Sequence, residues 1–309
     1  LLKYFGCSAE TASASAFVQQ RSKLAPEALP ALFDLFVQKS QPMQLYKGFR
    51  LLAADGSDIL IPSNPEHIAS HYPGTNGQSP YNILHLDAVY DLLQHTYQDA
   101  SVVGDRETNE RAALCRMVDR SDIEKAILMA DRGYEGFNLM AHIQEKNWMY
   151  LIRIKDVEKF NGITAGLALP NTDEFDVLID LSLTTKQTNE VKELRKYKNK
   201  YRYISPKSSF DFLSKKNRKH DPTVFYQIPF RIVRFKIAEN SYETVVTNLN
   251  AADFPPAELK KLYNMRWGIE TSFRELKYTV GLLHFHAKKV EHIYQEIFAR
   301  LIMYNFTEL

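Results

Sequence analysis

A short apolar run, Ala126-Ile-Leu-Met-Ala130, constrains this chain most: it stops at Asp131-Arg-Gly and lies between two stretches of helical periodicity. A run so brief and so uniformly apolar predicts a β-strand. The flanking helices are expected over 107–118 and 135–145, and Trp148 to Ile154 predicts the next strand. Upstream, Phe49 to Asp55 and Asp58 to Pro62 flank Gly-Ser and predict a hairpin. A further strand pair is expected at Ile83 to Tyr90 and Leu92 to Tyr97. These strands, then a helix, a strand, a helix and a strand, make a mixed α/β sheet.

Helical spacing in Ser13 to Arg21 and Pro30 to Val37 predicts a small helical N-terminal segment, 1–45. The first part of the sheet core is expected over 46–154. From 155 to 250 the helix–strand alternation gives way to strand-like segments: Phe175 to Leu181, Thr223 to Ile228, Phe230 to Ile237 and Tyr242 to Thr247. This is read as a β-rich insertion. A second part of the core, 251–309, opens with one long helix from Pro255 to Val280.

The 309 residues carry a formal net charge of +2, so whole-chain charge gives no push toward nucleic acid and local clusters must. Between Lys186 and Lys219, about a dozen cations are interleaved with Tyr197, Tyr201 and Tyr203, which reads as a solvated loop or as a phosphate-tracking arm. Two cysteines, Cys7 and Cys115, make no disulfide framework and suggest a reducing cytosol. No apolar run is long enough for a spanning helix, so no membrane association is expected. The missing initiator Met and the helical pattern reaching Leu309 read as clipping at both ends.

Chemistry concentrates in two places. Asp55 and Asp131 each close an apolar run, and open α/β sheets place sites just beyond strand ends. Two carboxylates in one pocket repel, and a divalent cation is their natural neutralising partner. On the long helix, Tyr263, Arg266, Glu270 and Lys277 fall within an arc of about 60° at about 100° per residue. That arc borders the apolar stripe of Leu262, Ile269, Phe273, Leu276 and Val280, whereas an ordinary surface helix opposes the two. A ladder of i,i+4 ion pairs is the plain alternative.

Asp55-Gly-Ser, Asp131-Arg-Gly-Tyr and Tyr263-x₂-Arg266-x₃-Glu270-x₆-Lys277 together resemble the three signature blocks of IS4-family insertion-sequence transposases. The last is that family's Tyr-Arg-Glu-Lys motif at full spacing, and the resemblance spans nearly the whole chain. It implies an RNase H-like mixed sheet flanked by helices and interrupted by a β-rich insertion. It also implies a catalytic, metal-holding triad of Asp55, Asp131 and Glu270 with two Mg²⁺ or Mn²⁺ ions. Tyr263, Arg266 and Lys277 would contact DNA. The implied activity is cleavage at transposon ends and transfer of the 3′-OH into target DNA. The implied partners are double-stranded DNA, as terminal inverted repeats and target, and a second copy in a synaptic homodimer. The implied setting is the bacterial cytoplasm, at the nucleoid. Relatives stack a flipped base on a Trp within the insertion; here the tryptophans are Trp148 and Trp267, outside it, and Tyr242 is the substitute platform.

A metal-dependent nuclease on the same fold, or an inactive DNA-binding remnant, are the alternative readings. Asp58 is the alternative ligand to Asp55. Asp87 and Asp91 are expected to face solvent, and His284, His286 and His292 lack the partners of a zinc site.

Overall fold

The computed structural model describes residues 13–40, 44–75, 77–155, 162–214 and 222–308. Cys7, the expected N-terminal clipping and the Lys215–Lys219 end of the basic arm lie outside them. Two helices lead in, α1 (Ala14–Gln20), capped by the Ser13 hydroxyl, and α2 (Ala28–Lys39). The sheet then begins with β1 (Arg50–Ile61), β2 (His71–Tyr72), β3 (Tyr81–Asp91) and β4 (Thr96–Gly104). Two strand–helix alternations follow: α3 (Glu110–Arg120), β5 (Ala126–Ala130), α4 (Phe137–Glu145) and β6 (Met149–Arg153). Asn109 starts α3 by accepting the Ala112 amide, which satisfies a helix-end donor.

β1 pairs antiparallel with β3, and β3 with β4, while β5 and β6 add in parallel on the other side of β1. Parallel pairs need long crossovers, and α3 and α4 supply them or cover them. This is the mixed, helix-flanked sheet expected of an RNase H-like core.

Five more strands or helices follow in the segment read as an insertion: β7 (Phe175–Thr184), α5 (Asn189–Leu194), β8 (Tyr201–Tyr203), β9 (Tyr226–Ala238) and β10 (Ser241–Thr247). β10 adds antiparallel to β6, so the sheet runs on through β9, β7 and β8 to ten strands among the described residues. The chain ends with α6 (Pro256–Met265), α7 (Trp267–Tyr278) and α8 (Val290–Glu308). No helix among the described residues is long and apolar enough to cross a membrane.

Alternation along β1 divides two cores. Leu51, Ala53 and Ile59 pack under α6, α7 and α8, whereas Leu52 and Ala54 pack toward α3 and α4. Arg231 ties the far strands to the site helices: its guanidinium pairs with Asp176 of β7 and donates to the Leu249 and Phe254 carbonyls just before α6.

Several local expectations are corrected. Asp55-Gly-Ser-Asp58 is not a hairpin turn; β1 runs straight through it, each residue paired with Ala88 to His85 of β3. Regular pairing here overrides turn propensity. The residues 92–95 make the β3–β4 turn, closed by the Asp91 carboxylate accepting the Leu93 and Gln94 amides, so the strand expected at Leu92 starts at Thr96. The two strands expected around Pro229 are one, β9; Pro229 faces Asp180 of β7, beyond the end of the β10 ladder, where a missing donor is tolerated. The long helix is broken at Arg266, where short i→i+3 bonds (Arg266 to Tyr263, Ile269 to Arg266) replace the α pattern. Asp87 and Asp91 are buried, not solvent-facing. Asp91 is held by Arg50 at 2.7 Å.

Candidate active site

The register between β1 and β5 makes the site. Ala54 is paired with Ala130, so Asp55 and Asp131 are the next residues on two neighbouring parallel strands. Both have the side-chain parity of Ala53 and Met129, which face the core under α6–α8. Asp55 lies within a strand and Asp131 just past one. Each carboxylate accepts a local amide, Asp55 from Gly56 at 2.9 Å and Asp131 from Gly133 at 2.7 Å.

α7 brings the third acid. Arg266, only 4% exposed, stands between Asp55 and Glu270: its Nη1 is 3.6 Å from Asp55 Oδ2 and its Nη2 donates to Glu270 Oε1 at 2.8 Å. Its guanidinium also lies over the rings of Tyr263 and Trp267, at 5.6 and 5.0 Å. The break between α6 and α7 is where this side chain leaves the helix. Arg266 Nε and Nη1 and the Tyr263 hydroxyl are buried without a hydrogen-bond partner. Buried donors of that kind mark a place where an outside acceptor belongs.

The electrostatics agree with the geometry. Burial raises Asp55 to about 6; the Gly56 amide and Arg266 oppose this, and Asp131 and Glu270 add to it. The three acids therefore share one field. Burial lifts Tyr263 to about 12 despite Arg266. Lys277 is half-buried and lowered by that burial, with Asp58 opposing.

The structure thus brings together Asp55, Asp131, Glu270, Arg266 and Tyr263, while Lys277, further along α7, feels the charge of Asp58. Asp58 itself points to the other face of β1, where it accepts from His85 Nδ1 at 2.7 Å. Tyr242 is not grouped with the acids. It lies on β10 with the Arg234 guanidinium 4.7 Å above its ring, and alternation gives it the opposite side from Glu243, whose charge reaches Tyr263. Trp148 is buried, its indole donating to Ile123, while Trp267 is 55% exposed beside Arg266. The sequence signal for Trp267 beside the site is its place next to Arg266 in the motif.

In the basic arm, Lys186 is buried and Arg202 donates to the Ile163 and Ala165 carbonyls. Lys192, Arg195, Lys196, Lys198 and Lys200 are exposed, with Tyr197 at 67%.

Hard carboxylate oxygens, half-buried and mutually repelling, are a donor set that fits a divalent cation. The tightest groupings of potential ligands among the described residues lie elsewhere: Asp58–His85–Asp105 and His85–Asp87–Glu110, both centred on His85. At the triad, Arg266 holds the space between Asp55 and Glu270.

Asp55 has a direct consequence for stability. Its folded pKa exceeds the ordinary carboxylate value of 3.8, so the fold prefers its neutral form. In chelator, the contribution of Asp55 to stability is most favourable below about pH 4, falls as pH rises toward 6 and stays lower above it. Asp55→Asn is expected to gain about 1–2 kcal/mol at pH 7, a value reduced for partial exposure, and nothing at pH 4. Urea unfolding at the two pH values measures this; an equal difference at both contradicts it.

Asp55 within β1 and Asp131 just past β5 thus lie on the face of a mixed, helix-covered sheet over which α7 carries Glu270. The family model described as "Transposase DDE domain" matches residues 46–306, and the chain belongs to that family. It is 23% identical over 303 residues to the transposase InsG of insertion sequence element IS4 from Escherichia coli (strain K12). That match takes in 94% of this chain and 59% of InsG, so the chain spans about three-fifths of the relative's length. A piggyBac transposase, solved by cryo-EM as a synaptic complex with hairpin DNA, superposes with a TM-score of 0.44 at 11% identity, over 94% of this chain and 54% of that one.

Proposed function

We propose that this chain is the catalytic part of an IS4-type DNA transposase, which cleaves at transposon ends and joins the freed 3′-OH to target DNA. The placement of Asp55 and Asp131 directly after the paired Ala54 and Ala130, with Glu270 bridged to Asp55 through Arg266, carries this reading. Asp55, Asp131 and Glu270 would hold two Mg²⁺ or Mn²⁺ ions. Bound there, such ions activate the attacking oxygen and stabilise the leaving one.

The chain's own residues do the rest. Arg266 neutralises Asp55 and Glu270 without metal and offers two unused donors to a scissile phosphate. Tyr263 adds a buried hydroxyl donor beside it, and Lys277 a cation near the end of β1. The exposed lysines and arginine of 192–200 track the DNA backbone, with Tyr197 interleaved, and Tyr242 is the stacking platform for an unpaired base. The unit 155–250 acts as the DNA-gripping insertion, between core parts 46–154 and 251–309. Two copies pair on the ends of double-stranded DNA, in the nucleoid of the bacterial cytoplasm.

The test uses pre-cleaved duplexes carrying the terminal repeats that flank the coding sequence, plus a supercoiled target and Mg²⁺. Covalent joining of the 3′ end to the target is the expected product. Hydrolysis without joining would make the chain a nuclease, and binding without either reaction would make it an inactive remnant.

A further inference from the structure

On the reverse face of β1 from Asp55, His85 and Asp87 of β3 point toward Glu110 of α3. His85 Nε2 lies 3.4 Å from Asp87 Oδ1 and 3.3 Å from Glu110 Oε1. These spacings are long for an imidazole N–H bond, which is usually about 2.7–3.2 Å. They match the roughly 3.3–3.4 Å edge of a tetrahedron built on bonds of about 2.0–2.1 Å, the lengths of zinc bonds to histidine and carboxylate.

Two further observations point the same way. Asp87 is 3% exposed and His85 6%, yet His85 Nε2 and both Asp87 oxygens have no hydrogen-bond partner. Buried groups so placed call for a ligand. The other nitrogen is already fixed: His85 Nδ1 is 2.7 Å from Asp58 Oδ1, the carboxylate–histidine arrangement that aims the free nitrogen at a metal. The rival grouping, Asp58–His85–Asp105, uses that occupied nitrogen, and Asp105 already accepts the Tyr72 hydroxyl.

We propose that His85 Nε2, Asp87 and Glu110 form a second, non-catalytic site for a zinc-like divalent cation, with Asp58 as the orienting residue. A mixed nitrogen and oxygen set favours Zn²⁺ over Mg²⁺. The cation replaces the proton that Nε2 otherwise carries, and that proton passes to solvent. Glu110 is half-exposed and leaves a coordination position open to water. An ion here ties β1, β3 and α3 together directly behind Asp55.

The experiment is equilibrium dialysis of the full, chelator-stripped chain against Zn²⁺, with Co²⁺ absorption reporting tetrahedral geometry. The variant Asp55→Asn/Asp131→Asn/Glu270→Gln removes the triad and is expected still to bind one equivalent in excess Mg²⁺. In that background Asp87→Asn and Glu110→Gln are expected to lose it, and Asp58→Asn to weaken it by about 10–100-fold. Glu110→Gln, on the half-exposed first turn of α3, keeps the test valid should Asp87→Asn fail to fold. Failure of the triad variant to bind zinc, or unchanged binding after Glu110→Gln, overturns the site and leaves an imidazolium ion-pair cluster. Neither outcome bears on whether the chain joins DNA.

Discussion

Glu270→Gln is expected to reduce Mg²⁺-dependent cleavage and joining by at least about a thousandfold, with DNA binding largely kept. Glutamine preserves the length of the side chain and its place on α7, so Ile269 and Phe273 continue to pack beneath it. What is lost is the anionic oxygen that now pairs with Arg266 at 2.8 Å. The same size of loss is expected for Asp55→Asn, although that variant is the more stable protein at neutral pH in chelator. Opposite changes in stability and activity at one residue separate a functional carboxylate from a structural one. Gel-resolved joining products and a binding isotherm for each variant measure this. Activity within tenfold of the unaltered chain contradicts the assignment.

Gly56→Ala is expected to destabilise the chain by up to about 3 kcal/mol and to cut activity more than tenfold. A Cβ at this position would sit 2.4 Å from His85 Nε2 and 2.8 Å from Glu110 Oε1. The imidazole has no room to retreat, since His85 is buried and held by Asp58. The collision must move β1 or β3, and Asp55 is the adjacent residue. The variant would also obstruct the His85–Glu110 cation site. Urea unfolding in chelator gives the stability change; a loss that appears only when zinc is present would mean the strand itself tolerates the methyl group.

This glycine shows what the sequence conveyed and what it hid. Asp-Gly-Ser-Asp has the composition of a turn, and local chemistry alone favours one. Only the pairing of Gly56 with Asp87, and the His85 ring over it, shows why an unbroken strand needs glycine there. By contrast, Ala126–Ala130 could be read without error, because a wholly apolar run between two amphipathic helices has one comfortable place, mid-sheet. The spacing of Tyr263, Arg266 and Glu270 was legible for a related reason: helical periodicity fixes which side chains share a face. The break at Arg266 was not, since no proline marks it. The cluster of His85, Asp87 and Glu110 was half legible. His-x-Asp on a strand puts both side chains on one face, but nothing local announces that Glu110, from a later helix, meets them. Asp87 has the sequence signature of a solvent-facing strand residue, because nothing local shows that α3 covers it.

Diffraction from crystals grown with Mn²⁺, recorded to locate manganese by its anomalous signal, tests the central claim most directly. The expected result is density between the Asp55 and Asp131 carboxylates, with Glu270 released from Arg266 and turned toward it. Manganese confined to the His85 cluster, or absent between the two aspartates while bound elsewhere, would contradict it.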